Sequence, residues 1–269
     1  MGMMDRFTEA ARARVAARAE QVPLTDLEGR IEVGRDGQRP FKEALTRPGL
    51  SVIAEFKRHS PSAGDIRPDA SVAETAIAYE QAGAAAMSVL TDGDFFAGSL
   101  EDLREARRSC DLPILEKDFV VDRYQLYEAK ANGADAVLLI VAALESAQLS
   151  DLYVEAQGLD LDCLVEVHDR GELGAALEIE ADVVGINNRN LDDLSVSVET
   201  TLGLITEVPA GMTVVSESGI STREAVAELD RVGVDAVLIG EALMSGEDPA
   251  GALTELFPGE DGTSEHRLP

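Results

Sequence analysis

Short apolar runs alternate along this chain with longer stretches of helical period. The runs are LSVIAEFK (50–57), AAAMSVL (84–90), LPILEK (112–117), DAVLLIV (135–141), LDCLVEV (161–167), DVVGIN (182–187), MTVVSE (212–217) and DAVLIG (235–240). Each is apolar through its middle instead of alternating with polar residues, the pattern of a strand buried on both faces of a parallel sheet. Ala/Leu/Glu-rich segments near 71–82, 99–108, 122–131, 145–157, 169–178, 199–206, 221–231 and 248–256 predict helices between and after them. Asp122, Glu145-Ser146 and Ser221-Thr222 stand where the unpaired N–H groups of a helix start need partners.

Strands alternating with helices in this number suggest a closed barrel or a long open sheet. An internal echo favours the barrel: GAAAMSVL (83–90), GADAVLLI (133–140) and GVDAVLIG (233–240) repeat one pattern at multiples of two strand–helix units. Its glycine ends a helix, and the next residues open a strand. No G-x-G-x-x-G follows a strand, which weakens a dinucleotide-binding sheet. The expected fold is therefore α/β, a single (β/α)8 TIM barrel within residues 1–257. Residues 1–48 form a helical extension, with helices near 4–20 and 40–46, and residues 49–257 form the barrel. The Gly/Pro-rich polar tail, 258–269, is expected to be flexible.

Composition narrows the setting. A hydrophobic content of 45% suffices for one large core, and no apolar run approaches the roughly 18 residues of a membrane helix. The first twenty residues lack an apolar signal core. Asp5, Glu9 and Glu20 argue against an organelle-targeting peptide, so a structural helix is expected there. Cys110 and Cys163, far apart in apolar surroundings, read as buried free thiols in a reducing cytoplasm.

Charge changes the picture most. Fifty-one acids against 23 bases give −28, spread along the chain. Such a surface repels nucleic acids and anionic membranes. Its self-repulsion is tolerable where concentrated salt screens it, which points to a halophilic protein.

In a barrel of this kind the active site lies at the C-terminal strand ends, where residues of alternate parity face inward. The first run ends in Glu55 and Lys57, the third in Lys117, the fifth in Glu166, the sixth in Asn187 with Arg189 sharing its parity, and the seventh in Glu217-Ser218-Gly219. A single charge at a strand end is often just where the chain meets water. Two lysines and three glutamates converging from separate strands are harder to dismiss, because buried charges must be paired and shift one another's proton affinity. Such a pair can supply a general acid and a general base in one pocket.

Opposite them, Ser218-Gly219, expected to open a helix, and Gly240-Glu241, before a short helical stretch, suit a phosphate site after the seventh and eighth strands. His59, His168 and His266 show no metal spacing, and His168 reads as structural. Neither a metal nor an organic cofactor is expected.

These strand ends also carry a family resemblance. IAEFKRHSPSAG (53–64), PILEKDFVVDRYQLYEA (113–129), GADAVLLIV (133–141), LVEVHD (164–169), GINNRNL (185–191), VVSESGI (214–220) and VLIGEALM (237–244) resemble the indole-3-glycerol phosphate synthase family, in order, across most of residues 50–245. The resemblance implies closure of a pyrrole ring on 1-(2-carboxyphenylamino)-1-deoxyribulose 5-phosphate, with loss of CO2 and water, in the cytoplasm. Under it Lys117 is the general acid on the substrate carbonyl and Glu166 its carboxylate counterpart. Lys57 contacts the carboxylate and phosphate ends, and Glu55, Asn187, Glu217 and Ser218 orient substrate or assist dehydration. Arg189 lies near the carboxylate, Phe96 and Phe119 lie against the aromatic ring, and Gly219, Gly240 and the Glu241 amide hold phosphate. The implied partner is a small phosphorylated molecule only, and the chain is read as a monomer.

Two places depart from the family pattern. Glu116 stands where an apolar or basic residue is expected, and alternation should turn it outward; residues 21–40 match poorly. Phosphoribosylanthranilate isomerase would need a Cys/Asp pair at strand ends one and four, whereas the first strand here ends Glu55-x-Lys57. A Schiff-base aldolase could use Lys117 but would not require Asn187 and Arg189. A noncatalytic acidic barrel would show a degraded set of strand ends, and this set is complete.

Overall fold

The apolar runs all form strands, and the strands close on themselves. They are β1 (Ser51–Phe56), β2 (Ala86–Leu90), β3 (Ile114–Lys117), β4 (Ala136–Ile140), β5 (Asp162–Val167), β6 (Val183–Asn187), β7 (Thr213–Glu217) and β8 (Ala236–Ile239). Every neighbouring pair is parallel, and β1 closes the ring by pairing with β2 on one side and β8 on the other. The structure is a computed structural model and describes residues 2–33, 39–190 and 194–257. The tail predicted to be flexible lies outside the described residues.

Around the barrel run α4 (Val72–Gln81), α5 (Leu100–Ser109), α6 (Arg123–Ala131), α7 (Ser146–Gly158), α8 (Arg170–Glu178), α9 (Glu199–Leu204), α10 (Arg223–Val232), α11 (Glu241–Met244) and α12 (Pro249–Leu256). Before β1 come α1 (Met3–Gln21), α2 (Leu24–Val33) and α3 (Phe41–Leu45). Asp122 and Thr222 cap α6 and α10 through their side chains as predicted. Glu145 does not: it is the N-cap of α7 but its side chain accepts no capping bond. Its longer side chain suits a cap less well than the Ser, Thr and Asp that serve elsewhere in this fold.

Strand parity sorts the core into two shells. Val52, Ala54, Phe56, Val137, Leu139, Val165, Val184 and Val237 face outward to the helices, while Ile53, Leu115, Leu138, Leu164, Val183, Val215 and Leu238 fill the barrel interior. Runs apolar on both faces are what that double burial demands.

The repeated glycine pattern has a local purpose. Gly83, Gly133 and Gly233 all take left-handed φ at the helix ends, and Ala there would be strained. In the second and third copies an Asp follows and stitches neighbouring strands: Asp135 Oδ2 accepts from the Ile114 amide and Asp235 Oδ2 from the Val214 amide, both at 2.8 Å.

The extension seals both ends. At the N-terminal strand ends, Phe41 and Leu45 of α3 are fully buried against the interior shell, and the Lys42 amide donates to Asp162. On the opposite face α1 lies across the mouth. Met3, Phe7, Ala11 and Val15 recur every fourth residue on one helical face, and Phe7 joins the same interior shell. The sequence missed α2, which packs on α6 through Leu27.

Candidate active site

One step above the interior apolar layer, parity brings a second set of residues inward: Glu55, Lys117, Ile140, Glu166, Gly185, Glu217 and Gly240. Apart from Ile140, charged and small residues here replace the branched ones below. Glu55, Glu166, Asn187 and Glu217 are all buried. The predicted convergence is therefore present, and its geometry is specific.

Lys117 is the hub. Its Nζ lies 3.3 Å from Glu217 Oε2 and 3.4 Å from Glu166 Oε2. Burial alone would drive a proton off this amine, but Glu217, Glu166 and Glu55 override it and hold the ammonium above the usual lysine range. The acids respond unequally. Burial opposes ionisation of Glu166, yet Lys117 and His168 outweigh it and press the carboxyl down to about 2. At Glu217, burial with Glu166 and Glu55 outweighs Lys117 and raises the carboxyl to about 7. The site thus contains a carboxylate that is ionised and one that titrates near neutrality, on the same ammonium.

On β1, Lys57 Nζ lies 2.7 Å from Glu55 Oε1. Burial raises Glu55, but Lys57 and Lys117 together bring it below the ordinary value. Two glycines make room for these acids. A β-carbon at Gly240 would overlap Glu55 Oε1, and one at Gly185 would overlap Glu217 Oε1.

A cavity of about 530 Å³ opens above this layer. Its wall includes Glu55, Lys57, Phe96, Lys117, Phe119, Glu166, Asn187, Arg189, Glu217, Ser218, Gly219, Gly240 and Glu241, so every predicted site residue faces one space. Its apolar side is built from Phe96, Phe119, Leu138, Ile140 and, from α1, Met3, Met4 and Phe7. Phe7 stacks on Phe119 with ring centroids 4.7 Å apart and meets Phe95 edge-on at the same distance.

Sequence reasoning missed the three α1 residues, although the stripe at every fourth position could have marked Met3 and Phe7. Arg14 holds α1 in place. It forms ion pairs with Asp92 and Asp94 after β2, at 2.7 Å, and with Asp118 after β3, at 3.0 Å.

One expectation fails at the far wall. Ser218-Gly219 does not open a helix: α10 starts at Arg223 behind its cap Thr222. Both residues adopt left-handed backbone, φ 67° and 79°, so the chain turns sharply before the helix can begin. Gly240 does precede the short α11. Glu116 faces the helix layer, takes a bond from Thr91 Oγ1 at 3.0 Å and does not line the cavity. Asn187 Oδ1 accepts from the Arg189 amide at 3.0 Å, tying the sixth strand end to its loop.

Comparison with known proteins now bears on this geometry. The family model described as indole-3-glycerol phosphate synthase matches residues 4–256. The chain belongs to the indole-3-glycerol phosphate synthase family. It is 46% identical over 259 residues to an indole-3-glycerol phosphate synthase of Albidiferax ferrireducens, covering 95% of this chain and 98% of that one. A relative of the same name from Variovorax paradoxus is 44% identical over 263 residues, with the same coverage.

The structural likeness extends more widely. A tryptophan synthase α-subunit from Pyrococcus furiosus superimposes with a TM-score of 0.59 at 15% identity, covering 78% of this chain and 98% of that chain. A thiamine phosphate pyrophosphorylase from the same organism gives 0.58 at 21%, covering 81% and 96%. These two share the barrel alone. The chain is an indole-3-glycerol phosphate synthase family carboxy-lyase of tryptophan biosynthesis. Among the described residues no helix is long and apolar enough to cross a membrane.

Proposed function

We propose that the mouth of this barrel closes the indole ring with Lys117 as general acid and Glu166 as general base. The observation that carries the assignment is Lys117 Nζ held between Glu166 and Glu217 on the cavity wall. A general acid must still hold its proton at working pH, and a base must already have lost its own. The raised ammonium and the depressed carboxyl meet both conditions.

The chemistry asks for little else. The aryl carbon of 1-(2-carboxyphenylamino)-1-deoxyribulose 5-phosphate attacks the sugar carbonyl while Lys117 gives its proton to the carbonyl oxygen. Loss of CO2 leaves its electron pair in the ring and restores aromaticity. Loss of the resulting hydroxyl as water, with removal of a proton, completes the pyrrole. Counted from the substrate carboxylate, each turnover takes up one proton from solution, so the site must both give and accept.

The remaining residues divide by position. Lys57 and Arg189 receive the anionic ends of the substrate. Glu55, Asn187, Glu217 and Ser218 orient it and assist dehydration. Phe96 and Phe119 flank the aromatic ring, and Gly219, Gly240 and the Glu241 amide hold the phosphate. The cationic residues act locally inside a chain of net charge −28.

The protein works as a cytoplasmic monomer in concentrated salt, with residues 1–257 as one domain. The spread of its acids along the chain supports the saline setting. The test supplies the carboxyphenylamino-deoxyribulose phosphate in molar KCl and follows indole fluorescence. Wild type forms product, and Lys117→Ala loses about 10²–10⁴ in kcat. No indole from wild type would overturn the reading, and an unimpaired variant would remove Lys117 from it.

A further inference from the structure

His168 stands just beyond the end of β5, two residues after Glu166 and at the threshold of α8. We propose that His168 is a positioning residue: its ring, fixed by Glu172 at the start of α8, holds the Glu166 carboxylate in the orientation that turns Oε2 toward Lys117. The inference rests on the reading of Glu166 given above.

The geometry runs as a chain of contacts. Glu166 has a cation near each oxygen, with Oε2 3.4 Å from Lys117 Nζ and Oε1 3.3 Å from His168 Nε2. The second of these is an ion-pair distance. The ring is anchored on its far side, where Nδ1 lies 2.9 Å from Glu172 Oε2. The same oxygen accepts the His168 amide at 2.8 Å, so backbone and ring are fixed together. Glu172 is itself placed by its helix. Its amide donates to Asp169, the N-cap of α8, at 2.9 Å, and the fold of that first turn returns its side chain over His168. Six consecutive positions after Glu166 thus form one device, VHDRGE (167–172).

Both ring nitrogens face carboxylates, and a neutral imidazole has only one N–H to offer. Only the doubly protonated ring presents an N–H to each. Burial disfavours that cation, but Glu166 and Glu172 outweigh burial and raise it to about 10. A ring that keeps its proton through neutrality does not shuttle one. It works instead as a fixed positive contact, which separates a positioning residue from a catalytic one.

The electrostatic surroundings are few. Glu166 is faced by Lys117 on β3, Glu217 on β7, Glu55 on β1 and His168 itself, with Asn187 on β6 as an uncharged partner. His168 does not line the main cavity. It lines a neighbouring one of about 440 Å³, where Arg189 and Asp169 are the other charged groups besides Glu172. Its contact with Glu166 links it to the reaction.

The test compares His168→Ala, His168→Gln, Glu172→Gln and the double variant His168→Gln/Glu172→Gln with wild type and Glu166→Gln, each with kcat, KM and a thermal midpoint. His168→Ala is expected to lose about 10- to 100-fold in kcat with KM within about twofold, because a group that holds a reacting carboxylate acts on the chemical step. His168→Gln, which keeps one donor without the charge, recovers part of that loss. Glu172→Gln lowers kcat in the wild-type background and adds little once His168 is Gln, since its effect passes through the ring.

A merely structural histidine would lower the thermal midpoint without this split between kcat and KM. Unchanged kcat in both His168 variants, KM changes that account for the whole loss, or full additivity with Glu172→Gln would overturn the inference. Activity surviving in Glu166→Gln would instead overturn the role of Glu166.

Discussion

Lys117 and Glu166 meet at 3.4 Å although β4 stands between their strands in the barrel wall. They touch because Ile140, the inward residue of β4 at that level, leaves the centre of the mouth to longer side chains from either side. Groups coupled this closely do not act independently. Lys117→Ala and Glu166→Gln should each remove most of the rate, and the double variant should fall little further than the worse single one. Single-turnover rates for the four proteins check this; multiplicative losses would mean that the two residues serve separate steps without a shared proton.

Gly240 and Gly174 make opposite predictions for the same change. Gly240→Ala drives a β-carbon into Glu55 Oε1, with Lys57 Nζ close behind, at a backbone that is not left-handed. The cost is steric, about 1–3 kcal/mol of stability, and the displaced carboxylate lowers kcat by up to about 100-fold. Gly174 lies within α8 with open space around its missing side chain. Gly174→Ala should stabilise by about 0.5–1 kcal/mol and leave kcat alone. Denaturant midpoints together with steady-state rates separate the two.

Glu116 should imprint a pH dependence on folding. Burial, then Asp118 and Glu128, raise its carboxyl to about 8, against weaker help from Thr91 and Arg18. In the unfolded chain the same group ionises near 4.5. Between those values unfolding releases a proton, so stability is intact at the acid end and declines as pH rises toward 8. The slope from this residue is at most about 1.4 kcal/mol per pH unit. Glu116→Gln keeps the shape and the Thr91 contact without the titration. Its stability should fall less than that of wild type from about pH 5 to 8; parallel curves would show that Glu116 is ionised in the fold.

Much of this was legible before any coordinates. Strands buried on both faces announce themselves in sequence, and parity alone placed Glu55, Lys117, Glu166 and Glu217 on the inside. What escaped was tertiary. α2 buries little beyond Leu27, so its pattern carries a weak signal. The Ser218-Gly219 turn looked like a helix start because small polar residues serve both purposes, and only the positive φ values distinguish them. Phe7 and His168 acquire meaning from neighbours 112 residues away and from a helix cap, neither of which a local window contains.

Arg14 has its acidic partners 78, 80 and 104 residues further along the chain. During synthesis α1 is made before β2, β3 and the loops after them, and has nothing to hold until they exist. Its apolar stripe must wait exposed, and the entropy of closing that long segment is met only once those strands have paired. The roof over the pocket is therefore an early product of translation and a late product of folding.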